Sequence, residues 1–525
     1  MKKSTLLLVV LNLFQHLLSY SQTTFQKYYG SGGGFGSQTK AYSIVQTNDG
    51  GYLSAGHTLF GGTTGIGCYL IKTNSLGDTL WTKTIGGTPR DFVYSMIQNT
   101  DGSFVMTGSK TINSSFTNDI FIMKLNSTGD TLWTKCLGNT PSAGRSIQRT
   151  NDGGYVITGS VSNGVDNDVV LLKTNSVGDT LWTRKFGGTG NDYGYCVKQT
   201  SDGGFIIAGN TTSFGAGNSD VLLFKTDSSG LLTWSKTYGR SGDDYGMSIT
   251  LTTDGNYMIA GTTDTLGNPN NDMYLLIKTD LSGNVLWSKT LGTTGYDEAQ
   301  SIEPTTDGNY IITGLVDSLN TSNALVVGLI KINNSGDTLW TKKYNRGEGY
   351  SVKQTNDGGF IIGGSTNQYA ANGIVYLIKT DANGNTGCMS YSANVKTDTV
   401  ASIVTSPTLI ESSGLPLYHP VISISSVGQD VTTLCFTSGI NELTNSETIT
   451  LYPNPATTTT TFTIESTNKI QRIKVINVIG EVISTTSPTG NSKTTIDLTR
   501  VAKGIYFVQI TDENKTIVNK KIVVQ

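Results

Sequence analysis

Short apolar segments alternate with polar turns between residues 40 and 387, four segments in each stretch of about fifty residues. One stretch contains YGYCVKQT, GGFIIAGN, DVLLFKTD and LLTWSKTYG, in which β-branched and aromatic residues alternate with small or polar ones. Alternation with a period of two over runs of this length predicts half-buried β-strands joined by tight turns. This part of the chain is therefore predicted to be all-β.

The four-strand unit recurs seven times. An Asp-Gly pair marks its first turn at intervals of 50 to 53 residues, at Asp49, Asp101, Asp152, Asp202, Asp254, Asp307 and Asp357. A later apolar strand of each unit contains one lysine: Lys72, Lys124, Lys173, Lys225, Lys278, Lys331 and Lys379. Four strands per repeat of this length predict a β-propeller with seven blades.

A separate strand, TFQKYY, precedes the first complete unit. The seventh unit lacks the W-T-K-x-x-G pattern of the fourth strand, and Cys388 stands at its tryptophan register. Phe25, Lys27 and Gly30 match the tryptophan, lysine and glycine of that pattern. The sequence therefore predicts that this N-terminal strand completes the seventh blade, closes the ring and removes an exposed sheet edge.

One register of the repeat holds all six tryptophans of the chain: Trp81, Trp133, Trp182, Trp234, Trp287 and Trp340. An aromatic stripe can form a sugar-binding platform, but a position repeated in successive blades is more simply a packing anchor between neighbouring sheets. We assign the same structural role to Phe25. Cys196 stands where the other units have serine, and we interpret it as a small strand residue rather than a nucleophile.

The turns of a propeller alternate between its two faces. Here the first and third turns of each unit are near-identical tight turns, such as TNDGGY, and share one face. The second turn and the connection between blades are variable, as in KTINSSFTND and VSNGVDND, and share the other face. Since variable loops on a rigid scaffold are the usual place for recognition, we predict that this variable face binds a ligand.

Aspartates recur on the variable face, before the first strand and at the start of the third strand of successive units: Asp91, Asp192, Asp244 and Asp297, and Asp119, Asp168, Asp220 and Asp272. Carboxylates near the channel mouth can bind a cation or hydrogen-bond a glycan, so these eight residues are the ligand-binding candidates. The alternative is that each aspartate caps its own turn, which its recurrence favours.

The amino-acid composition narrows the range of functions that the protein can have. The 525 residues include 63 glycines and 24 tyrosines, only 14% are charged, and the net charge is -2, which is typical of an extracellular all-β protein. Without a lysine or arginine cluster, neither nucleic acid nor an anionic membrane is an expected partner. No catalytic, metal-binding or cofactor motif is found, so neither a metal nor a cofactor is predicted. We prefer a non-catalytic binding or adhesion module; the alternative is a secreted polysaccharide hydrolase that uses acidic residues of the variable face.

The first 21 residues have two lysines, an apolar run from Leu6 to Leu18 and a small residue at Ser21. This pattern is typical of a secretory signal peptide, and the run is short for a membrane span. No later stretch is apolar enough to cross a bilayer. Oxidising surroundings permit a disulfide, for which Cys388 and Cys435 are the candidate pair, although the sequence leaves the pairing open.

A second β pattern begins at Thr448 and predicts a small sandwich. It contains LYPNP, VINVIGEVI and LTRVAKGIYFVQI, whose characteristic residues are Pro453, Asn454, Pro455, Gly480, Gly504 and Tyr506. In this combination the segment resembles the type A sorting domain of the type IX (Por) secretion system of Bacteroidetes. The resemblance implies passage through the periplasm, transfer by the type IX machinery, and either release or attachment at the cell surface.

The predicted organisation has four parts: a signal peptide over residues 1–21, a seven-bladed propeller over 22–387, a Ser/Thr-rich irregular spacer over 388–447 and a sorting domain over 448–525. The predicted partners are the secretion machinery and an extracellular glycan or protein.

Overall fold

A computed structural model gives the fold of the chain. It describes residues 22–30, 39–59, 65–86, 90–111, 118–137, 140–265, 268–293, 295–317, 325–366, 373–387, 391–392, 396–399, 403–405, 410–413, 417–418, 424–426, 431–437, 450–452, 461–465, 469–477, 482–488, 493–497, 501, 504–513 and 517–524. The predicted signal peptide lies outside these residues. The described elements are all β-strands, and none of these residues forms a helix that is long and apolar enough to cross a membrane.

Seven antiparallel sheets form the blades of a β-propeller. Within a blade, strands a, b, c and d are hydrogen-bonded in that order. The a strands of neighbouring blades contact one another around a closed ring, so strand a is the innermost. In blades 1 to 7, strand a is Lys40–Gln46, Asp91–Gln98, Ser142–Arg149, Asp192–Gln199, Asp244–Leu251, Glu298–Pro304 and Glu348–Gln354.

The remaining strands repeat in the same register. Strand b is Tyr52–Leu59, Phe104–Thr111, Tyr155–Ser162, Phe205–Thr211, Tyr257–Thr265, Tyr310–Asp317 and Phe360–Thr366. Strand c is Ile66–Thr73, Asn118–Leu125, Asn167–Thr174, Asp220–Thr226, Asn268–Thr279, Leu325–Ile332 and Ile374–Thr380. Strand d is Thr79–Ile85, Thr131–Leu137, Thr180–Gly187, Leu232–Gly239, Val285–Gly292, Thr338–Arg346 and, in blade 7, Thr24–Tyr29.

The N-terminal strand thus completes blade 7, as the sequence predicts. Phe25 lies opposite Lys379, which is the pairing of tryptophan and lysine in the other blades. All six residues of the strand are buried. The N-terminal strand therefore covers the edge of strand c in blade 7 that would otherwise be exposed, and the ring of seven blades is closed.

A fifth strand, strand e, lies outside strand d in every blade. All seven e strands come from residues 391–437, which we call the belt. The belt visits blades 6, 5, 4, 3, 2, 1 and 7 in that order, with the strands Tyr391–Ser392, Lys396–Thr399, Ile403–Thr405, Ile410–Ser413, Leu417–Tyr418, Ile424–Ser426 and Val431–Thr437. Its last strand pairs with the N-terminal strand, so blade 7 is built from both ends of the propeller chain.

The sequence predicts an irregular spacer over residues 388–447. In the structure, the described residues of this segment up to Thr437 are the e strands of the propeller. Up to Thr437 the segment belongs to the same compact unit as the blades. Its strands have only two to seven residues, too few for most of them to show the alternation by which a strand is recognised in sequence. Cys388 and the side chain of Cys435 lie outside the described residues, and their disulfide stays a prediction.

The second compact unit, Ser438–Gln525, contains two antiparallel sheets. In spatial order, one consists of Thr450–Tyr452, Thr461–Glu465 and Lys493–Asp497, and the other of Val482–Thr486, Ile470–Asn477, Gly504–Asp512 and Ile517–Val524. Ile464 and Ile496 from the first sheet share a buried core with residues of the second, such as Val508. A core between two sheets is that of a β-sandwich, as predicted.

Candidate functional site

Three positions of every strand a face the central channel, because side chains alternate along a strand and the positions between them are buried against neighbouring blades. The outer ring, nearest the variable face, is Lys40, Phe92, Ala143, Tyr193, Tyr245, Glu298 and Glu348. The middle ring is Tyr42, Tyr94, Arg145, Tyr195, Met247, Gln300 and Tyr350. The inner ring is Val45, Ile97, Gln148, Lys198, Thr250, Glu303 and Lys353.

A β-bulge presents each residue of the middle ring to the channel. The pairing of strands a and b skips this position in all seven blades, for example Arg145 between Gly144 and Ser146. A bulged residue is unpaired and its strand bends there, which redirects its side chain. The following register holds the repeated serine, whose Oγ accepts a hydrogen bond from the next blade, as Ser43 does from the N–H of Met96 at 3.1 Å.

Tyrosines dominate the middle ring. The ring of Tyr42 is 4.9 Å from that of Tyr350 and 5.3 Å from that of Tyr94, measured between centroids. Phe92 of the outer ring stacks on Tyr94 at 6.0 Å. These side chains are partly exposed. The channel mouth therefore has an aromatic wall that offers both flat apolar faces and hydroxyl groups to a ligand.

Ion pairs between residues of the inner ring form a floor below this wall. Lys353 forms an ion pair with Glu303, and the Nζ of Lys198 lies 4.0 Å from the same carboxylate. These residues belong to blades 7, 6 and 4, so the interaction crosses the channel. Burial raises the pKa of Glu303, but the charges of Lys353 and Lys198 outweigh it and the net pKa is lowered. We call the space above this floor, lined by the outer and middle rings, the cup.

Charged groups are placed asymmetrically in the cup. The guanidinium of Arg145 stacks on Tyr94, with its Cζ 4.2 Å from the ring centroid. The Nζ of Lys40 donates to the hydroxyl of Tyr350 at 2.6 Å and pairs with Glu348 at 3.4 Å. The cup thus combines aromatic stacking surfaces with fixed charged hydrogen-bonding groups, which is the usual composition of a binding site for a small polar ligand.

His57 supports the aromatic wall from behind. It is 3% exposed and lies between Tyr42 and Phe92, at centroid distances of 5.5 and 4.8 Å. Burial, aided by the charge of Lys40, lowers its pKa to about 4. Its Nδ1 has no hydrogen-bond partner among the described residues. The imidazole is therefore neutral at physiological pH and acts as part of the packing.

The first set of predicted carboxylates is at most 2% exposed: Asp91, Asp192, Asp244 and Asp297. Asp192 accepts a hydrogen bond from the N–H of Gly188 at 2.8 Å, and Asp244 accepts one from the N–H of Arg240 at 2.8 Å. Asp91 pairs with Lys110 at 3.0 Å. Burial raises the pKa of all four carboxyl groups. These contacts favour the turn-capping alternative over direct ligand binding.

The second set opens strand c: Asp119, Asp168, Asp220 and Asp272. Asp119 and Asp220 are buried, and Asp220 accepts a hydrogen bond from the N–H of Gly217 at 3.0 Å. Asp168 and Asp272 are partly exposed. Burial, with Glu298 and two nearby aspartates, raises the pKa of Asp272 to about 6. The structure brings members of the two sets together in pairs, such as Asp220 with Asp244, on either side of a strand d glycine.

The tryptophans lie between blades. The ring of Trp81 packs on Gly129 in the c–d turn of the next blade, where φ is +81° and an added Cβ would lie 2.6 Å from the ring. The other contacts of this type are Trp133 with Gly178, Trp182 with Gly230, Trp234 with Gly283, Trp287 with Gly336, Trp340 with Gly384 and Phe25 with Gly77. This repeated position therefore joins each blade to the next, including blade 7 to blade 1.

Ion pairs fix the tight turns between strands a and b. Their nitrogen–oxygen distances are 2.5 to 3.4 Å in Lys72–Asp49, Lys124–Asp101, Lys173–Asp152, Lys225–Asp202, Lys278–Asp254, Lys331–Asp307 and Lys379–Asp357. Hydrogen bonds from Lys225 and Thr200 lower the pKa of Asp202 to about 2. The repeated aspartate and lysine of the sequence thus hold one turn per blade.

A cavity of about 320 Å³ lies between blades 4 and 5 on the tight-turn face, where Trp234 and Tyr257 line it. In four other blades a glutamine at the end of strand a accepts a hydrogen bond from the preceding turn, as Gln98 does from the N–H of Asn48 at 3.0 Å. Blade 5 has Leu251 in this register, which leaves the turn of blade 4 without that contact. Leu251 lines the cavity, which lies on the face opposite the cup.

Sequence reasoning missed the cup, although its signal is present in the repeat. The position before the repeated serine is tyrosine in four units: Tyr42, Tyr94, Tyr195 and Tyr350. Cys196 stands in the serine register and directly follows Tyr195. Its Sγ lies 3.8 Å from the carbonyl of Ile249. Reading the seven units column by column would have singled out this position and, within it, Arg145.

The carboxyl-terminal unit can now be compared with known families. Residues 450–525 match the family described as secretion system C-terminal sorting domain. This unit is a type IX sorting domain. The sorting domain implies export to the cell surface or into the medium. Within it Tyr506 is buried in the core and Gly504 begins a strand, whereas Pro453, Asn454, Pro455 and Gly480 lie outside the described residues.

Solved structures with some similarity cover larger parts of the chain. Sqt1 from Chaetomium thermophilum is 8% identical, with a TM-score of 0.38, over 66% of this chain and 96% of that chain. PorZ, a surface component of the type IX system of Porphyromonas gingivalis, is 10% identical, with a TM-score of 0.21, over 95% and 100%. Scores this low carry no argument. Comparison with curated protein sequences gives no match.

Proposed function

We propose that this protein is an exported, non-catalytic binding module whose propeller holds an extracellular ligand in the cup. Export uses the N-terminal signal peptide of residues 1–21 and then the sorting domain. The cup is the part of the variable face that combines an ion-paired floor, six tyrosines and fixed charges, and this combination carries the proposal. A glycan is the favoured ligand class, because tyrosine rings stack on the apolar faces of sugars while hydroxyl and charged groups bind their polar edges.

The environment of the aspartates on the variable face supports binding rather than hydrolysis. A glycosidase needs two carboxyl groups that both reach the scissile bond. Six of the eight predicted carboxylates are at most 2% exposed, and those of Asp91, Asp192, Asp220 and Asp244 are held by a lysine or by backbone N–H groups of nearby loops. Buried carboxylates with such partners suit the hydrogen bonding of turns better than the role of two catalytic carboxyl groups.

A glycan array probed with the purified protein, residues 22–525, tests the proposal. Calorimetric titration of the best ligand should show about a tenfold loss of affinity in Tyr94→Ala and in Tyr195→Ala, since one aromatic contact contributes up to about 1.5 kcal/mol. Incubation of the same ligands with the protein should give no hydrolysis products.

Leu132→Ala is the matched control. Leu132 is 54% exposed on strand d, away from the channel, and its loss should leave affinity unchanged. Equal affinity of the tyrosine variants and the wild type would refute the cup as the site. Turnover of a bound glycan would support the hydrolase alternative, and capture of a protein with no bound glycan would change the ligand class.

A further inference from the structure

Arg145 departs from the repeat at the place where the cup is deepest. Four of the seven residues in its register are tyrosine, and none of the other six is charged. Its side chain is partly exposed to the cup and stacks on Tyr94. A guanidinium that is stacked on an aromatic ring keeps its planar donors free at the edge, which suits a planar anion.

The other channel-facing cations of the three rings have carboxylate partners, whereas Arg145 has none within the part of the chain that the structure describes. Lys40 pairs with Glu348, whereas Lys198 and Lys353 both face Glu303. Arg145 stacks on the ring of Tyr94, and its enclosed Nε has no hydrogen-bond partner among the described residues. The guanidinium therefore has no anionic partner among these residues, and its partly exposed side chain can pair with an acceptor on a ligand.

The charge of the cup changes with depth. The middle and inner rings together contain three cations, Arg145, Lys198 and Lys353, against the one carboxylate of Glu303. The outer ring contains one cation and two carboxylates, of which Glu348 pairs with Lys40 and Glu298 is hydrogen-bonded by Tyr296. The interior is therefore positive and the rim is slightly negative, so an anionic group is favoured at the bottom of the cup.

We infer that the cup binds a terminal sugar residue that carries a carboxylate, with Arg145 holding the carboxylate and the neighbouring tyrosines holding the ring. This assignment rests on the proposed function and names its ligand class. The middle ring lies two residues below the outer ring, a depth of about 7 Å along a strand, which accommodates one sugar ring end-on. Arginine and a carboxylate form two parallel charge-assisted hydrogen bonds, which fix the orientation of that ring.

Calorimetric titration of residues 22–525 with oligosaccharides tests the inference. The probes are oligomers of galacturonate, glucuronate and mannuronate, and their neutral counterparts of galactose, glucose and mannose. At least one uronate oligomer should bind, and its neutral counterpart should bind at least tenfold more weakly. Arg145→Gln should lose tenfold or more of the affinity for the uronate and change affinity for the neutral sugar less than twofold.

Arg149→Gln is the matched control. Arg149 lies on the same strand at the tight-turn end, where it donates to the Oγ1 of Thr100 at 3.2 Å. This variant should bind uronate as tightly as the wild type does. It tests whether the loss of an arginine from this strand disturbs binding regardless of its position. A thermal melt of both variants confirms that they are folded.

The two proposals fail in different ways. If Tyr195→Ala loses binding while Arg145→Gln keeps full affinity for the uronate, the cup remains the site and the carboxylate subsite is refuted. If none of the three uronates binds, the acidic-sugar assignment is refuted even when a neutral glycan binds. If neither class binds, the glycan-binding function falls as well.

Discussion

His57 is an imidazole that folding keeps neutral. Its side chain lies behind the wall of the cup, and burial lowers its pKa to about 4 from an ordinary value near 6.5. The unfolded chain takes up a proton near pH 6.5, whereas the folded protein does so only near pH 4. The contribution of His57 to stability is therefore complete above pH 6.5 and is lost as pH falls towards 4, by up to about 3 kcal/mol.

His57→Phe should reduce the pH dependence of stability. Phenylalanine keeps an aromatic ring between Tyr42 and Phe92 but does not titrate. Between about pH 7 and pH 4.5, the melting temperature of the variant should fall less than that of the wild type, because the unfolded variant gains no proton at this position. Melting curves that shift in parallel with pH in the two proteins would contradict this explanation.

The cup shows which functional residues can be recognised from a repeated sequence and which cannot. The aspartates of the variable face recur in four of the seven blades at each of two registers, which made them visible in the sequence, and several of them accept hydrogen bonds from nearby backbone N–H groups. The middle ring of the cup combines four tyrosines with three single residues, Arg145, Met247 and Gln300, each found in one blade only. Arg145 was hidden because one blade, read alone, does not show that its register is otherwise uncharged.

At the scale of the element, the strand from Thr24 to Tyr29 joins the two ends of the ring. Its pairing was predictable because Phe25 and Lys27 match a pattern repeated six times. The Nζ of Lys27 lies 2.7 Å from Asp78 in blade 1, an equivalent of the pair between Lys83 and Asp130. One strand thus contributes hydrogen bonds to blade 7 and side-chain contacts to blade 1.

Phe25→Ala should destabilise the propeller by about 3 to 5 kcal/mol, the usual cost of truncating a buried phenylalanine. The ring is fully buried and packs on Gly77 across the junction of blades 7 and 1. Leu80→Ala is the control, since Leu80 is 56% exposed and its loss should change stability by less than about 0.5 kcal/mol. Urea denaturation followed by tryptophan fluorescence measures both, and equal midpoints would refute the role of Phe25 in closing the ring.

The belt is the element that sequence patterns did not reveal. Its strands are short, they carry no repeated motif, and the sequence distance to their partner strands grows along the belt. The first lies close to blade 6 in sequence, whereas the last pairs with the N-terminal strand about 400 residues earlier. Local alternation predicts strands, but such long-range pairings depend on edges that only the assembled ring provides.

At the scale of the molecule, the propeller extends to Thr437 because its d strands need outer partners. A protein of residues 22–437 should therefore be monomeric and as stable as the propeller of the full chain. A protein of residues 22–387, which ends at the boundary that the sequence predicts, should melt at a lower temperature and self-associate through its exposed strand edges. Thermal melts and light scattering compare the two, and equal stability with no association would show that the belt is dispensable.

The belt is also the last part of the propeller to be synthesised. At 5 to 20 residues per second, the strand at Thr437 is made about 20 to 80 s after the strand at Thr24 with which it pairs. Until then the N-terminal strand has no outer neighbour, and the other d strands gain theirs only as the belt is made. The sorting domain, residues 450–525, comes after Thr437 in the chain, so it is synthesised only after the last strand of the propeller.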